Sequence, residues 1–575
     1  MNVLNRTFLG TMFCIGAFSL TCQVQAEQTA ASPSLNGGSV VLMQADIKAL
    51  NVNTVVELLN RLPGVSATDG SISLQGSASK HVLVLLDGRP LNNPVTGLVD
   101  LSGISADRLA QLKVIKGSGA VQYGDNTSGG VVLITTRSPT RKATRKVEFQ
   151  YGTYNTSELS ADLAATVNDT GLELGLNRES SDGHRLNGDS TNEGATFALS
   201  RTFWSVLDTR LALNLSNKES GYSGKIFDPT PRARSRKNNR GALLMAKYRD
   251  LESRTYYNTF EDKFRDPDRG LDNSLDIAVF GQEFRYSGPF SAGLEYEHQS
   301  ADSTDYGTHE ENRVSAFLIK RFSFSESVGK EVAAGLRVNN HSEFGVSYNP
   351  QIGFSFKPSP FDVALELNRS SNTPSFNQRY YESTFTKPNP GLDMEQATNL
   401  KASFSYAAGD AVSLSLSGFY SKVDDAIAYS ANGDGTYSYQ NIASSMRRGA
   451  DVGLDWRITP VLKLNASYLY LRFTDDATGL DLPHKPRHKA KLDLDATAGK
   501  TLLTLTGNWV SDSYDDKQNT VVQAGRFTAD AKAAYSFGNT KLLFSVENLF
   551  DEEYESHVGY PAAGRTFMAG IRHPF

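Results

Sequence analysis

From Pro139 to the last residue the chain alternates apolar and polar side chains one by one, segment after segment, and this rhythm restricts the fold more than any other feature. Leu211, Leu213 and Leu215 share one face, while Arg210, Ala212, Asn214 and Ser216 share the other. Val412, Leu414 and Leu416 oppose Ser413, Ser415 and Ser417, and Leu503, Leu505, Gly507 and Trp509 oppose Leu502, Thr504, Thr506 and Asn508. A period of two is the signature of β-strands with one apolar face. A soluble sandwich satisfies it as well as a membrane barrel does, so spacing has to separate the two.

Strands begin near residues 146, 157, 171, 193, 209, 238, 252, 275, 291, 309, 331, 342, 361, 395, 411, 443, 461, 484, 500, 522, 540 and 565, which makes 22, an even number. At about 20 residues per strand and connection, each accommodates a tilted span of about 9–11 residues. Short links such as Val206-Leu207-Asp208, Ala408-Gly409-Asp410 and Thr459-Pro460 alternate with long polar ones at 180–192, 219–237, 261–274, 300–308, 372–394 and 549–564. Short turns on one side and long loops on the other are expected of an outer-membrane barrel and are not needed by a sandwich. The apolar face then meets lipid, and Tyr151, Tyr154, Tyr248, Tyr256, Tyr257, Trp456, Tyr468, Tyr470 and Trp509 fall where interface girdles would lie. Closure is required because an unpaired backbone group in hydrocarbon costs several kcal/mol.

The first 26 residues differ in kind: Arg6, an apolar run over 8–20 and Val24-Gln25-Ala26 match a secretory signal peptide cut before Glu27. Both cysteines, Cys14 and Cys22, lie inside it, so the mature chain is expected to have no disulfide and no thiolate site. With 63 acidic against 58 basic side chains the chain lacks the basic footprint of a nucleic-acid binder. Residues 27–38 read as a flexible polar arm, and 39–137 as a compact α/β unit. In that unit we expect strands at 40–43, 82–86, 112–115 and 131–135, a helix over 46–60 stopped by Pro63-Gly64, and a short helix or turn at 104–109. A barrel of about 22 strands is wide enough to need a plug, and residues 39–137 are placed to be one.

Several stretches carry a specific resemblance: VVELLNRLPGV at 55–65, VLVLLDGRPL at 82–91, LKVIKGSGAVQYGDNTSGGVVLITTR at 112–137, NPGLDME at 389–395, RRGAD at 447–451, and VENLFDEEY at 546–554 followed by YPAAGRTF at 560–567. In this order they resemble the TonB-dependent outer-membrane receptors. The resemblance implies a transmembrane β-barrel of about 22 antiparallel strands over 138–575, its lumen closed by an N-terminal α/β plug domain. It implies a transporter with no catalytic centre and no resident cofactor, located in the outer membrane of a Gram-negative bacterium. Expected partners are TonB with its inner-membrane energising proteins, a small nutrient or metal chelate, outer-membrane lipid and lipopolysaccharide, and the barrel-assembly machinery; the receptor would be a monomer. The last strand would pair with the first, and Phe575 would be the insertion signal.

Candidate ligand contacts follow from the same resemblance and from side-chain chemistry. Asn92 and Asn93 lie near the expected apex of the plug, where they either meet ligand or cap the Asp87-Gly88-Arg89-Pro90 turn. Tyr222, Arg232, Arg234 and Arg236 in one long loop, and Phe376, Arg379, Tyr380, Tyr381 and Phe385 in another, combine flat apolar surface with guanidinium forks. The basic run suits an anionic ferric chelate or lipopolysaccharide phosphate equally. Arg89, Lys113, Lys116, Gly117, Gly119, Tyr123, Gly124, Gly129 and Gly130 are expected at the plug–barrel contact, as packing and gating positions. Asp262, Asp266, Asp268 and Asp272 are weak calcium candidates, since Lys263, Arg265 and Arg269 neutralise much of the cluster.

Two departures from the family pattern stand out. No short apolar energy-coupling segment stands apart from the plug in EQTAASPSLNGG, and the first apolar run, 40–43, belongs to the expected plug strand. Lys113 and Ser118 replace an acid and a proline common in the family. A ferric siderophore is the leading cargo. Cobalamin, haem, a metal or a small organic nutrient are alternatives of the same class, and a TonB-independent channel or structural, adhesive barrel is the alternative of a different class.

Overall fold

The computed structural model describes residues 39–575, apart from 51, 102, 118, 140, 326–328 and 410. The expected signal peptide, the arm at 27–38 and Ser118 therefore lie outside the described residues.

The plug is built on a five-stranded sheet. Its strands are β1 (Val40–Met43), β4 (Val82–Leu86), β5 (Arg89–Pro90), β6 (Leu109–Lys116) and β7 (Gly130–Thr136), in the order β1-β6-β7-β4-β5. A separate hairpin, β2 (Val65–Thr68) with β3 (Ser71–Leu74), went unforeseen in the sequence. The expected helix over 46–60 is two helices, α1 (Gln44–Ala49) and α2 (Val55–Asn60). Thr54 causes the break: it is extended, and its hydroxyl accepts from the backbone N–H of Glu57, while Glu57 accepts in return from Asn53 N–H. The Thr54 hydroxyl cap, with Glu57 reaching one residue further back, restarts the helix and overrides the apolar periodicity. Val55, Leu58 and Leu59 pack with Leu74, Val84, Leu101, Leu109 and Leu112 in a fully buried core. Burial of each such side chain contributes about 1.5–3 kcal/mol.

The rest of the chain forms one closed antiparallel barrel of 22 strands, from β8 (Thr144–Gly152) round to Thr566–Pro574, which pairs back onto β8 with Met568 opposite Gly152. Expected and observed strand starts agree within a few residues; the largest gap is at the strand Tyr437–Thr459, which begins six positions before 443. Leu211, Leu213 and Leu215 are exposed on the outside, whereas Arg210 and Ala212 are buried inside. The outer face is thus apolar and the inner face polar, the arrangement lipid requires. Tyr257, Trp456, Tyr468, Tyr470 and Trp509 do face outward. Tyr256 does not: it points inward and donates to Glu297 at 2.6 Å, because neighbours on a strand face opposite sides.

Connections at one end are short turns, and those at the other include the long loops 222–233, 373–394, 476–487, 511–525 and 548–565. The expected loop 261–274 shrinks to 267–270, since the strands Leu251–Asp266 and Leu271–Ser287 continue their ladder through the charged residues. For the same reason Arg234 and Arg236 belong to the strand Arg234–Tyr248 and not to the loop before it. The plug lies within the barrel, with Asp107 salt-bridged to Lys146 near the turn end and Asn126 bonded to Thr373 near the loop end.

Candidate functional site

Several plug segments rise toward the loop end: residues 79–81, the apex 92–97 after β5, and 125–128 after the helix α3 (Ala120–Tyr123). Between them and the barrel wall lies a cavity of about 420 Å³. Its plug side is Lys80, Asn92–Gly97, Tyr123, Asp125 and Asn126, its wall includes Tyr256, Asn258, Glu283, Arg285, Glu295, Glu297, Gln299 and Arg313, and Thr373, Ser375, Asn377 and Gln378 overhang it.

Every cation here already has a carboxylate. Lys80 meets Glu395 at 3.4 Å, Arg313 meets Glu295 at 2.7 Å and Glu297 at 3.1 Å, and Arg285 is paired with Glu283. Asp125 is fully buried; it accepts from Asn339 at 2.8 Å and lies 3.1 Å from His341. Burial works against its charge, but His341, Arg313 and Arg337 outweigh it and hold the carboxyl below the ordinary range. The unspent groups are amides, hydroxyls and aromatic faces.

The two apex asparagines differ. Asn92 spends its amide on the plug backbone, accepting from Val84 N–H and donating to Val82 C=O. Asn93 caps Val95 and Thr96 and reaches Asp262 at 3.3 Å. Both line the cavity with their remaining surface. Of the loop residues, Tyr222 meets Tyr560 hydroxyl to hydroxyl at 3.1 Å, Arg232 pairs with Asp268, Arg234 pairs with Asp189 and Glu219, and Arg236 is exposed. Phe376, Arg379 and Tyr380 fold into the helix α4 (Phe376–Tyr380), capped by Ser375. Arg379 is 1% exposed; it binds Glu311 at 2.6 Å and lies about 5 Å from the rings of Phe344, Phe376 and Tyr380. These three residues hold the overhanging loop in place. Tyr381 is half-buried beyond them and Phe385 is exposed. Asp262, Asp266, Asp268 and Asp272 do not converge: Asp266 is buried against Arg269, Asp268 is held by Arg232, and Asp272 is exposed.

The plug–barrel contact is more tightly specified. Arg89 donates to Asn258 at 2.5 Å and Asn214 at 3.0 Å. Burial, partly opposed by Asp87, pushes its guanidinium down to about 10. Lys116 reaches Asp451 on the wall at 2.5 Å, and Gln75 donates to the second oxygen of the same carboxylate at 2.5 Å. Lys401 and Arg447 donate from the wall to plug carbonyls of Lys116, Leu74 and Ser128. Gly124, at φ +96, lets the Arg337 guanidinium approach to a distance a Cβ would crowd. Gly130, at φ +135, lies where a Cβ would be 2.2 Å from Ile115 C=O. Gly117 also has positive φ, while Gly119 and Gly129 pack within the plug against Val131 and Ser77, and Tyr123 lies under the Arg285 guanidinium. Asp451 and Asp125 lie within the resembling stretches 447–451 and 112–137 without being singled out as contacts, and Gln75 and Lys401 escape the sequence reading, since nothing but polarity marks them.

Lys113 is buried, and burial together with Arg321 brings its ammonium down to about 8 from an ordinary 10.5. The folded plug binds that proton less tightly than the unfolded chain, so plug stability rises as pH climbs from about 8 to about 10.5. Lys113→Met should therefore stabilise the plug at pH 7 by about 1–3 kcal/mol and flatten that pH dependence. Hydrogen exchange of the β6 amides at several pH values measures both.

A polar-lined barrel, an inserted plug and a cavity open toward the long loops define a gated outer-membrane importer. The family profile described as TonB dependent receptor-like, beta-barrel matches residues 118–549, and that of the TonB-dependent Receptor Plug Domain matches 34–131. The chain belongs to the TonB-dependent receptor family. Its members are transporters and not enzymes, and they work with TonB and a small-molecule ligand at the outer membrane. The vitamin B12 transporter BtuB of Photobacterium profundum is 22% identical over 565 residues, covering 93% of this chain and 92% of that protein. The siderophore receptor PirA of Acinetobacter baumannii has a similar fold, with a TM-score of 0.79 at 16% identity over 94% of this chain and 98% of that one. A ferric enterobactin receptor variant (PfeA) of Pseudomonas aeruginosa, solved with enterobactin, gives 0.80 at 16% identity over 95% and 100%.

Proposed function

We propose that the receptor imports a ferric siderophore of low net charge, bound in the cavity between plug apex and wall and released to the periplasm by TonB-driven movement of residues 39–137. One observation carries the charge assignment. Lys80, Arg285 and Arg313 are each neutralised by carboxylates, so among the described residues a trianionic chelate finds no unpaired cation in the cavity, while Asn377 and the second amide N–H of Asn93 and of Gln299, each of which has spent only one, offer hydrogen bonds to amide-bearing arms. Cobalamin is the second reading; it too is amide-rich and near neutral, and the transport of vitamin B12 is what the name of the relative at 22% identity states. In either case residues 1–26 serve as export signal, 27–38 as periplasmic arm, and Phe575 as the mark read by the barrel-assembly machinery. The receptor functions as a monomer among lipopolysaccharide.

The test is binding of the purified receptor to a ferric hydroxamate, a ferric catecholate, cyanocobalamin and haem. The hydroxamate should bind at least about tenfold tighter than the catecholate, and Gln299→Ala and Asn377→Ala should each weaken it about two- to tenfold. Preferential catecholate binding would overturn the charge argument, and exclusive cyanocobalamin binding would replace the first reading by the second.

A further inference from the structure

Three successive long loops, 476–487, 511–525 and 548–565, meet on one side of the loop end, and each brings one metal-ligating side chain to the same point. His484 Nδ1 lies 3.4 Å from Asp515 Oδ1 and 3.3 Å from His557 Nδ1. All three donor atoms fall within 4.8 Å of one another, and among the described residues no other group of three His, Cys, Asp or Glu side chains converges in this way.

A hydrogen-bonded histidine pair is the simplest alternative, and the geometry argues against it. One ring nitrogen carries either a proton or a lone pair. As a donor, His484 Nδ1 would be split between two acceptors at distances beyond the 2.7–3.2 Å of a good N–H bond. As a lone pair, it would face a carboxylate oxygen with nothing between them. A cation among the three resolves both conflicts. Two of the three separations match tetrahedral coordination, which at about 2.0–2.1 Å places neighbouring donors roughly 3.3–3.4 Å apart; the third, Asp515 to His557, is longer, within 4.8 Å, and closes as the ion draws the loops in.

The loops are held in this arrangement by contacts of their own. His484 N–H donates to Tyr514 C=O at 2.7 Å, and Asn519 bridges to the backbone of Asp481 with both ends of its amide. Gln523 donates to Glu555 C=O at 2.6 Å, joining the second loop to the third. Lys485, the adjacent cation in the chain, is turned over the Phe473 ring.

We propose that His484, Asp515 and His557 form a binding site for a borderline divalent transition-metal ion, of which Zn²⁺ is the type, that clasps three loops together. Two imidazoles and one carboxylate suit Zn²⁺, Cu²⁺ or Ni²⁺, and not the oxygen-seeking Ca²⁺ or Mg²⁺. With three protein donors and partial exposure, the fourth position is open to water. The clasp also has a place in the architecture. His484 and His557 stand at the rim of a second cavity, of about 640 Å³, which continues past Asn508 and Lys491 to Asn60 and Arg61 of the plug. The ion therefore tightens the loops over the mouth of this side passage. The site stands on its own geometry, whichever nutrient the central cavity takes.

The experiment uses tag-free, chelator-treated receptor in detergent, titrated calorimetrically with Zn²⁺ and, separately, Ca²⁺. One Zn²⁺ per chain is expected. His484→Ala and His557→Ala should each weaken it at least about a hundredfold, the upper bound for losing even an outer partner of a metal site. His184→Ala should leave it unchanged. Bound Cu²⁺ should show two coupled nitrogens by electron paramagnetic resonance in the wild type and one in His557→Ala. Zn²⁺ should slow hydrogen exchange in all three loops of the wild type and of His184→Ala, and in neither His484→Ala nor His557→Ala. Unaltered heat-modifiable migration shows that each variant keeps its barrel, so loss of binding reports the site. Absence of saturable Zn²⁺ binding, binding that survives in the double His variant, or equal affinity for Ca²⁺ would overturn the assignment.

Discussion

Asp451→Ala is expected to loosen the plug while leaving the barrel intact. The Asp451 carboxylate is 2% exposed and serves two plug residues at once, Lys116 at 2.5 Å and Gln75 at 2.5 Å. Removing it leaves the buried ammonium of Lys116 without its counter-ion and the amide of Gln75 with only the long contact to Ser417. Deleting one partner of a buried pair costs about 3–5 kcal/mol, because the other charge stays desolvated. Hydrogen exchange of β3 and β6 amides should accelerate by about two to four orders of magnitude, since every 1.4 kcal/mol is tenfold. The barrel ladder does not pass through these contacts, so its thermal unfolding should not move. Adding Lys116→Met should recover most of the loss, because it removes the stranded charge. Unchanged plug exchange in Asp451→Ala would mean that the pair holds nothing.

The same pair shows where sequence reading stops. Lys116 and Asp451 are 335 residues apart, and no local pattern links them. The barrel, by contrast, was legible in detail because its determinant is local: each strand of an outward apolar, inward polar sheet writes its orientation at every second residue. Strand ends were less legible for a related reason. Lipid dictates the apolar band, but the hydrogen-bonded ladder continues above it, so Tyr437 and the charged run through Asp266 are strand where polarity suggested loop.

Composition also overstated the ligand contacts of the loops. An arginine among aromatics in 373–394 looked available, yet Glu311 from another strand claims it and turns Arg379 into the pin of its own loop. Asn92 was open to two readings, ligand donor or local cap, and its amide is bonded to the Val82 and Val84 backbone. Whether a polar side chain is free or spent depends on partners brought together only by the fold. The histidines follow the same rule. Scattered in sequence with no spacing signature, His484 and His557 meet because three loops close on one another.

A disulfide between plug and wall should stop uptake and leave ligand binding untouched. A Cβ built on Gly453, in the barrel strand Tyr437–Thr459, falls 3.3 Å from Cβ of Pro63, in the turn that follows α2. A disulfide places these atoms about 3.5–4.5 Å apart, so a shift of a few tenths of an ångström joins Pro63→Cys to Gly453→Cys. The Ser415 hydroxyl is also near the new Cβ, at 2.7 Å, and rotates aside. No cysteine follows Cys22, so in a chain lacking its first 26 residues the engineered pair has no competitor. Neither position lines the central cavity, so nutrient affinity should stay within about twofold, inside the spread of additive distant mutations. If the nutrient passes only when TonB displaces the plug from this wall, oxidised cells should import it at background rate. Reduction should restore transport, and either single variant should behave as wild type. Full uptake with the disulfide intact would show that residues 39–137 need not leave the strand Tyr437–Thr459. The 640 Å³ passage past Arg61 and Lys491 would then be the remaining candidate route, and gating would fall to the loops above it.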